Sequence, residues 1–164
     1  LAGAALVASQ HAEAQEAPGA VRPPVRVEVM VGYASSTKGE IDPRALELSK
    51  MLGREFNLQT LRVIQLQQLS LALRQMGQVE LPTGHWVSVQ PEEFTARGLR
   101  MGVEVQGMLR THVNVPSGNQ IVIGAYTYED GRLLVRLAPI YEMPDGMLLP
   151  SMGPPDDVRP PQGR

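Results

Sequence analysis

Residues 99–115 read LRMGVEVQGMLRTHVNV. From Val103 onward the residue types alternate. Val103, Val105, Leu109, Thr111, Val113 and Val115 share one parity, and Glu104, Gln106, Arg110, His112 and Asn114 share the other. A half-buried antiparallel strand has this period of two, which the 3.6-residue period of an amphipathic helix cannot keep over about a dozen residues. The stretch therefore predicts one long strand that opens a three-stranded meander over residues 99–141. Ile121 to Tyr128 and Leu133 to Tyr141 are its other strands. Pro116-Ser117-Gly118-Asn119 and Glu129-Asp130-Gly131-Arg132 are its turns, the second carrying the Asp-Gly pair favoured in tight hairpins.

Upstream of the meander, Val25 to Ala34 predicts another strand, with Val25, Val27, Val29, Val31 and Tyr33 on one face and Arg26, Glu28, Met30 and Gly32 on the other. Asp42-Pro43 marks a helix start, with Asp as N-cap and Pro at the first helical position, where a missing N–H costs nothing. The helix runs to about Glu55. Ala45, Leu48, Leu52 and Phe56 form its buried stripe, and Arg44, Glu47, Lys50 and Arg54 its wet side. From Thr60 to Leu73 the apolar frame shifts. A strand bulged near Gln67-Gln68 is the preferred reading, and a helix over Leu66 to Met76 is the competing one. Gln78 to Leu81, a Pro82-Thr83-Gly84-His85 turn and Trp86 to Val89 form a hairpin that Pro91 is expected to stop.

The ends differ from this middle. Leu1 to Ala8 is small, apolar and uncharged, and Ala12-Glu13-Ala14 has the small-x-small pattern that signal peptidases read. Residues 1–14 are therefore read as a truncated signal peptide without its starting Met and basic region. Residues 15–24 are a Pro-rich linker, residues 25–141 a β-rich globular domain, and residues 142–164 a disordered Pro/Gly-rich tail. The apolar start is too short to span a membrane, which takes about 20 residues. The fold class expected is mainly β (α+β), an antiparallel sheet or sandwich with one packed helix.

Aromatic residues make up 4% of the 164, so the core must be aliphatic, and a base-stacking platform is disfavoured. The net charge is −2 and the 15 basic residues are scattered, which argues against nucleic acid as a partner. With no cysteine there is no disulfide, thiolate nucleophile, zinc–thiolate site or lipoprotein anchor.

Leu81-Pro82-Thr83-Gly84, then Val113-Asn114-Val115 followed by Ile121-Val122-Ile123-Gly124, carry a family resemblance. In this order, after a Val-rich strand and an Asp-Pro helix, they resemble small exported proteins of delta-proteobacterial type with no assigned activity. The resemblance covers most of Val25 to Tyr141. Ile121 to Gly124 is also similar to the last strands of secretin periplasmic modules. These resemblances imply a cell-envelope setting and no catalytic residue.

Sites follow by elimination. His11, His85 and His112 have no metal-ligand spacing, and no Ser stands in a G-x-S-x-G context. Glu92-Glu93 and Asp156-Asp157 are adjacent acids, which on a loop point apart more often than together. What remains is the polar side of the 99–115 strand. Glu104, Gln106, Arg110, His112 and Asn114, with Trp86 close by, are the candidate ligand- or partner-binding residues. An unpaired edge strand is a second route to a partner. The expectation is a non-catalytic exported structural or binding module, periplasmic or secreted, with a protein partner in the envelope and no metal or cofactor. The alternatives are a hydrolase using His112 with Glu104 or Arg110, and a Pro-rich tail that docks as an extended segment.

Overall fold

The alternating valines of the first strand set the architecture. In the computed structural model, which describes residues 22–144, β1 (Val25–Ser35) buries Val25, Val27, Val29 and Val31 almost completely on one face. A 3-10 turn (Pro43–Ala45) leads into α1 (Leu46–Phe56). Seven strands follow: β2 (Thr60–Leu71), β3 (Gly77–Glu80), β4 (Trp86–Thr95), β5 (Gly98–Val105), β6 (Leu109–Val115), β7 (Ile121–Tyr128) and β8 (Gly131–Ile140). They form two four-stranded sheets, β2-β1-β8-β7 and β3-β4-β5-β6, antiparallel throughout. The fold is thus mainly β with one packed helix. The strands succeed one another in chain order and β8 returns to β1, as in an up-and-down barrel opened along two seams.

One core fills the space between the sheets. The β1 valines meet Val87, Val89, Leu99, Met101, Val103 and Val105 there, with Leu133, Val135 and Leu137 from β8. A second, smaller core lies outside the first sheet, where Ala45 and Leu48 cover Met30, Ala34, Leu61 and Val63. Met30 faces away from the β1 valines and is still buried, because the helix lies over it. Asp42 starts this unit. Its Oδ1 accepts the Arg44 N–H at 2.9 Å, and the Arg44 guanidinium bonds both carboxylate oxygens.

Several expectations change. The 99–115 strand is two strands, β5 and β6, folded at Gln106-Gly107-Met108, with Gly107 at φ +72°. A three-residue turn pairs odd residues with odd, Val105 with Leu109 and Val103 with Thr111. Alternation therefore continues through the reversal and conceals it. Pro116 to Gln120 is no hairpin turn either, since it carries the chain from β6 in the second sheet to β7 in the first. Tyr141 pins this crossing. Its hydroxyl donates to the Val115 carbonyl and accepts the Leu99 N–H, both at 2.8 Å, and its backbone is bridged by the Ser117 hydroxyl.

Residues 60–71 are a strand, as preferred. Its irregularity falls at Ile64, which pairs with nothing in β1, whereas Val31 pairs with Gln65 and Gly32 with Val63. This extra residue turns Leu61 and Val63 toward the helix and Leu69 and Leu71 toward the inter-sheet core. Pro91 does not end β4. It pairs with Met101, and the strand continues to Thr95 after an extra residue at Glu92. Phe56, placed on the buried stripe of the helix, is 64% exposed. The leader, linker residues 15–21 and tail residues beyond 144 lie outside the described residues. Linker residues Arg22 to Pro24 are exposed and irregular, and Met143 packs against the larger core.

Candidate functional site

The outer face of the second sheet carries the polar residues that alternate with its core. Cross-strand register sets Ser88 beside Glu104 and Glu104 beside Arg110. One step along it sets Gln90 beside Gly102 and Gly102 beside His112. Gly102 presents no side chain, so the face dips there into a hollow of about 340 Å³ lined by Ser88, Gln90, Glu92, Glu104, Arg110 and His112. A Cβ at position 102 would stand 3.0 Å from Glu92 Oε1 and 3.9 Å from His112 Cδ2, so these two side chains reach over the bare glycine.

The β4 bulge brings the acids in. Glu92 has no cross-strand partner, and both Glu92 and Glu93 turn to the outer face, where they share Arg100. Adjacent acids that the sequence reading set pointing apart therefore point together. Glu92 Oε2 lies 3.1 Å from Arg100 Nε and its Oε1 3.0 Å from His112 Nε2, while Glu93 Oε1 lies 3.5 Å from Arg100 Nη1. Alongside, Arg110 directs Nε and Nη2 to Glu104 Oε2 at 3.0 and 2.6 Å. The result is a mosaic of joined opposite charges on a solvated surface, where such pairs contribute little to stability.

The expected residues separate within this face. Glu104, Arg110 and His112 line the hollow. Trp86 sits at one end, 40% exposed. Gln106 is not on a strand face. It belongs to the β5–β6 turn, and its side-chain oxygen accepts the Trp86 N–H at 3.1 Å. Asn114 sits at the other end, where its Oδ1 accepts from the Thr95 hydroxyl at 3.3 Å. The pairing expected of His112 with Glu104 or Arg110 is replaced by His112 with Glu92, since Glu104 and Arg110 hold each other. No hydroxyl bonds to the His112 imidazole among the described residues. His85 stacks on Tyr126, ring centroids 3.9 Å apart, with its Nδ1 2.9 Å from the Thr83 hydroxyl. His11 lies outside the described residues. Among those described, no group of three or more His, Cys, Asp or Glu is placed to hold a metal ion, and no helix is long and apolar enough to cross a membrane.

Sequence reading set Glu92 aside as half of an adjacent acid pair and missed Arg100, Gly102 and Ser88. Gly102 carried a readable signal, being a glycine inside an otherwise regular strand pattern, which marks a bulge or a close approach. Glu92 carried none, because the bulge that turns it outward depends on how β4 pairs with β5.

Comparison of the chain with protein-family models, with curated proteins and with solved structures found no match.

Proposed function

We propose that the protein is a non-catalytic binding module of the cell envelope, exported to the periplasm or beyond, and that it meets a protein partner through the outer face of its second sheet. The observation that carries this reading is the hollow at Gly102. It is rimmed by side chains that pair with one another, Glu92 with His112 and Arg100, and Glu104 with Arg110. A mosaic of both signs around a concavity suits recognition, because a partner of complementary pattern is steered and oriented by it. Covalent catalysis would ask for a hydroxyl or thiol nucleophile beside the imidazole, and the described partner of His112 is a carboxylate. The signal-like start of the chain supports export.

Two measurements test the reading. Fractionation of the source cells is expected to find the mature chain outside the cytoplasm, and the full-length chain in the cytoplasm would refute export. A photo-crosslinker at position 110 is expected to give one discrete adduct in intact cells. Gly102→Leu, which fills the hollow, should remove it. An adduct that survives Gly102→Leu, or hydrolysis of a test ester that disappears in His112→Ala, overturns the binding role assigned to this face.

A further inference from the structure

The helix covers only part of the first sheet. Beside its last turns, a groove of about 660 Å³ runs along the outer face of β7 and β8, within the range of about 300–1,000 Å³ typical of small-molecule sites. Its walls are Leu52, Phe56 and Leu58 on one side and Val122 and Leu134 on the other. Phe56 stands 64% exposed at its rim, a large apolar ring that the core does not use.

Backbone geometry opens the floor. Gly124 pairs with Leu134 and puts no side chain into the groove. Gly131 can carry none, because a Cβ there would lie 2.3 Å from the Ala34 carbonyl oxygen. The space is therefore a consequence of strand packing and of two residue choices on neighbouring strands.

One end is polar and carries one charge of each sign, the acid bonded by hydroxyls that favour its ionised form and the guanidinium without a bonded partner. Asp130, the only acid in the lining, has both oxygens accepting bonds, from the Tyr33 and Thr37 hydroxyls. Arg132 is the only cation in the lining. Its side chain lies over Gly124, where a Cβ would be 3.7 Å from Cδ and 3.8 Å from Nη1. Arg44, Arg62, Arg100, Arg110 and Arg136 are held by acids, whereas Arg132, like Arg22, Arg26, Arg74 and Arg97, makes no ion pair and no side-chain hydrogen bond among the described residues; of these it alone lines the groove. An apolar trough that ends at an available guanidinium is complementary to a molecule with an apolar tail and an anionic head.

We propose that this groove binds a fatty acid, with the acyl chain between the Phe56 wall and Val122 and the carboxylate on Arg132. The site lies on the opposite sheet from the Gly102 hollow and stands or falls independently of it. The guanidinium supplies paired N–H donors to the carboxylate. The trough supplies the apolar contact, and the head stays at the open, wet end.

The full chain is titrated by calorimetry with decanoic acid, decan-1-ol and decyltrimethylammonium, each below its micelle concentration. Saturable one-to-one binding of the acid is expected, with weaker binding of the alcohol and none of the ammonium. Arg132→Gln should weaken the acid about tenfold, the loss of one charge-assisted contact, and leave the alcohol unchanged. Gly124→Leu fills the floor and should abolish both. Phe56→Ser, at an exposed position that the fold does not need, should weaken both and covers the case in which Gly124→Leu fails to fold. Equal affinity for acid and alcohol, an acid affinity unmoved by Arg132→Gln, or a Phe56→Ser protein that binds both like the parent would each overturn the assignment.

Discussion

The two sheets have similar inner faces and opposite outer ones. Inside, both present alternating aliphatic residues to one shared core. Outside, the first sheet is apolar where α1 covers it, with Met30, Leu61 and Val63 buried, whereas the second is bare and carries Glu104, Arg110, His112 and the Glu92–Glu93 pair. The difference shows how a strand's second face is decided. The inner face follows from period two alone, while the outer face takes its character from whatever the rest of the chain lays upon it. Covered, it becomes a second core. Left bare, it can hold function, because substitutions there cost little folding energy.

Substitutions that distinguish the faces test this contrast. The largest effect is expected at Leu61, which is fully buried between β2 and the helix. Leu61→Ala should lower unfolding free energy by about 2–5 kcal/mol, the range for a large-to-small change in a tight core, read as a fall in the urea midpoint at constant slope. A loss near zero would show that the helix does not seal that face.

The acid limb comes next and reports on how the helix is anchored. The side-chain bonds from Arg44, with the Arg44 N–H, hold the Asp42 carboxyl down at about 2. A carboxyl whose folded pKa is depressed stabilises the fold when ionised. Its contribution is present above the ordinary carboxyl range and is lost as pH falls from about 4 to about 2. Melting midpoints of the parent and Asp42→Asn are therefore expected to differ at pH 5 and to converge near pH 2. A constant gap across that window would show that the ionised carboxylate is not what anchors the helix.

The smallest effect belongs to the bare face. Arg110 is 76% exposed and bonds Glu104, so Arg110→Ala should change stability by about 0–1 kcal/mol, and less in high salt. A loss as large as that of Leu61→Ala would mean that the charge mosaic holds the sheet together, and the contrast between the faces would fail.

Much of this fold could be read from residue order, and the exceptions have physical causes. The β1 face was legible because Val25 to Val31 keep strict parity. The helix start was legible because Asp42-Pro43 acts locally. The β5–β6 reversal was hidden, since a three-residue turn preserves parity and Gly107 alone marks it. The frame shift in β2 was visible but misplaced, because the extra residue at Ile64 is defined by its pairing with β1. Of the candidate site, Glu104, Arg110 and His112 were legible as the polar parity of one stretch. Their partners were not. Glu92 reaches His112 only through a bulge in another strand, and Phe56 edges a groove because the helix covers only part of the sheet.

By itself, the amino-acid order determined which residues of β1 and of residues 103–115 share the inter-sheet face, where the helix begins, and that the core is aliphatic. These are local or compositional properties, set by backbone period, capping and side-chain type. Tertiary structure alone decided where the two sheets part, which outer face the helix covers, and which charges meet at Gly102. It also decided that a bare groove ends at Arg132. Each of these depends on contacts between residues far apart in the chain, such as Tyr141 with Val115 or Gly131 with Ala34, and pairings of that kind leave no period in the sequence to read.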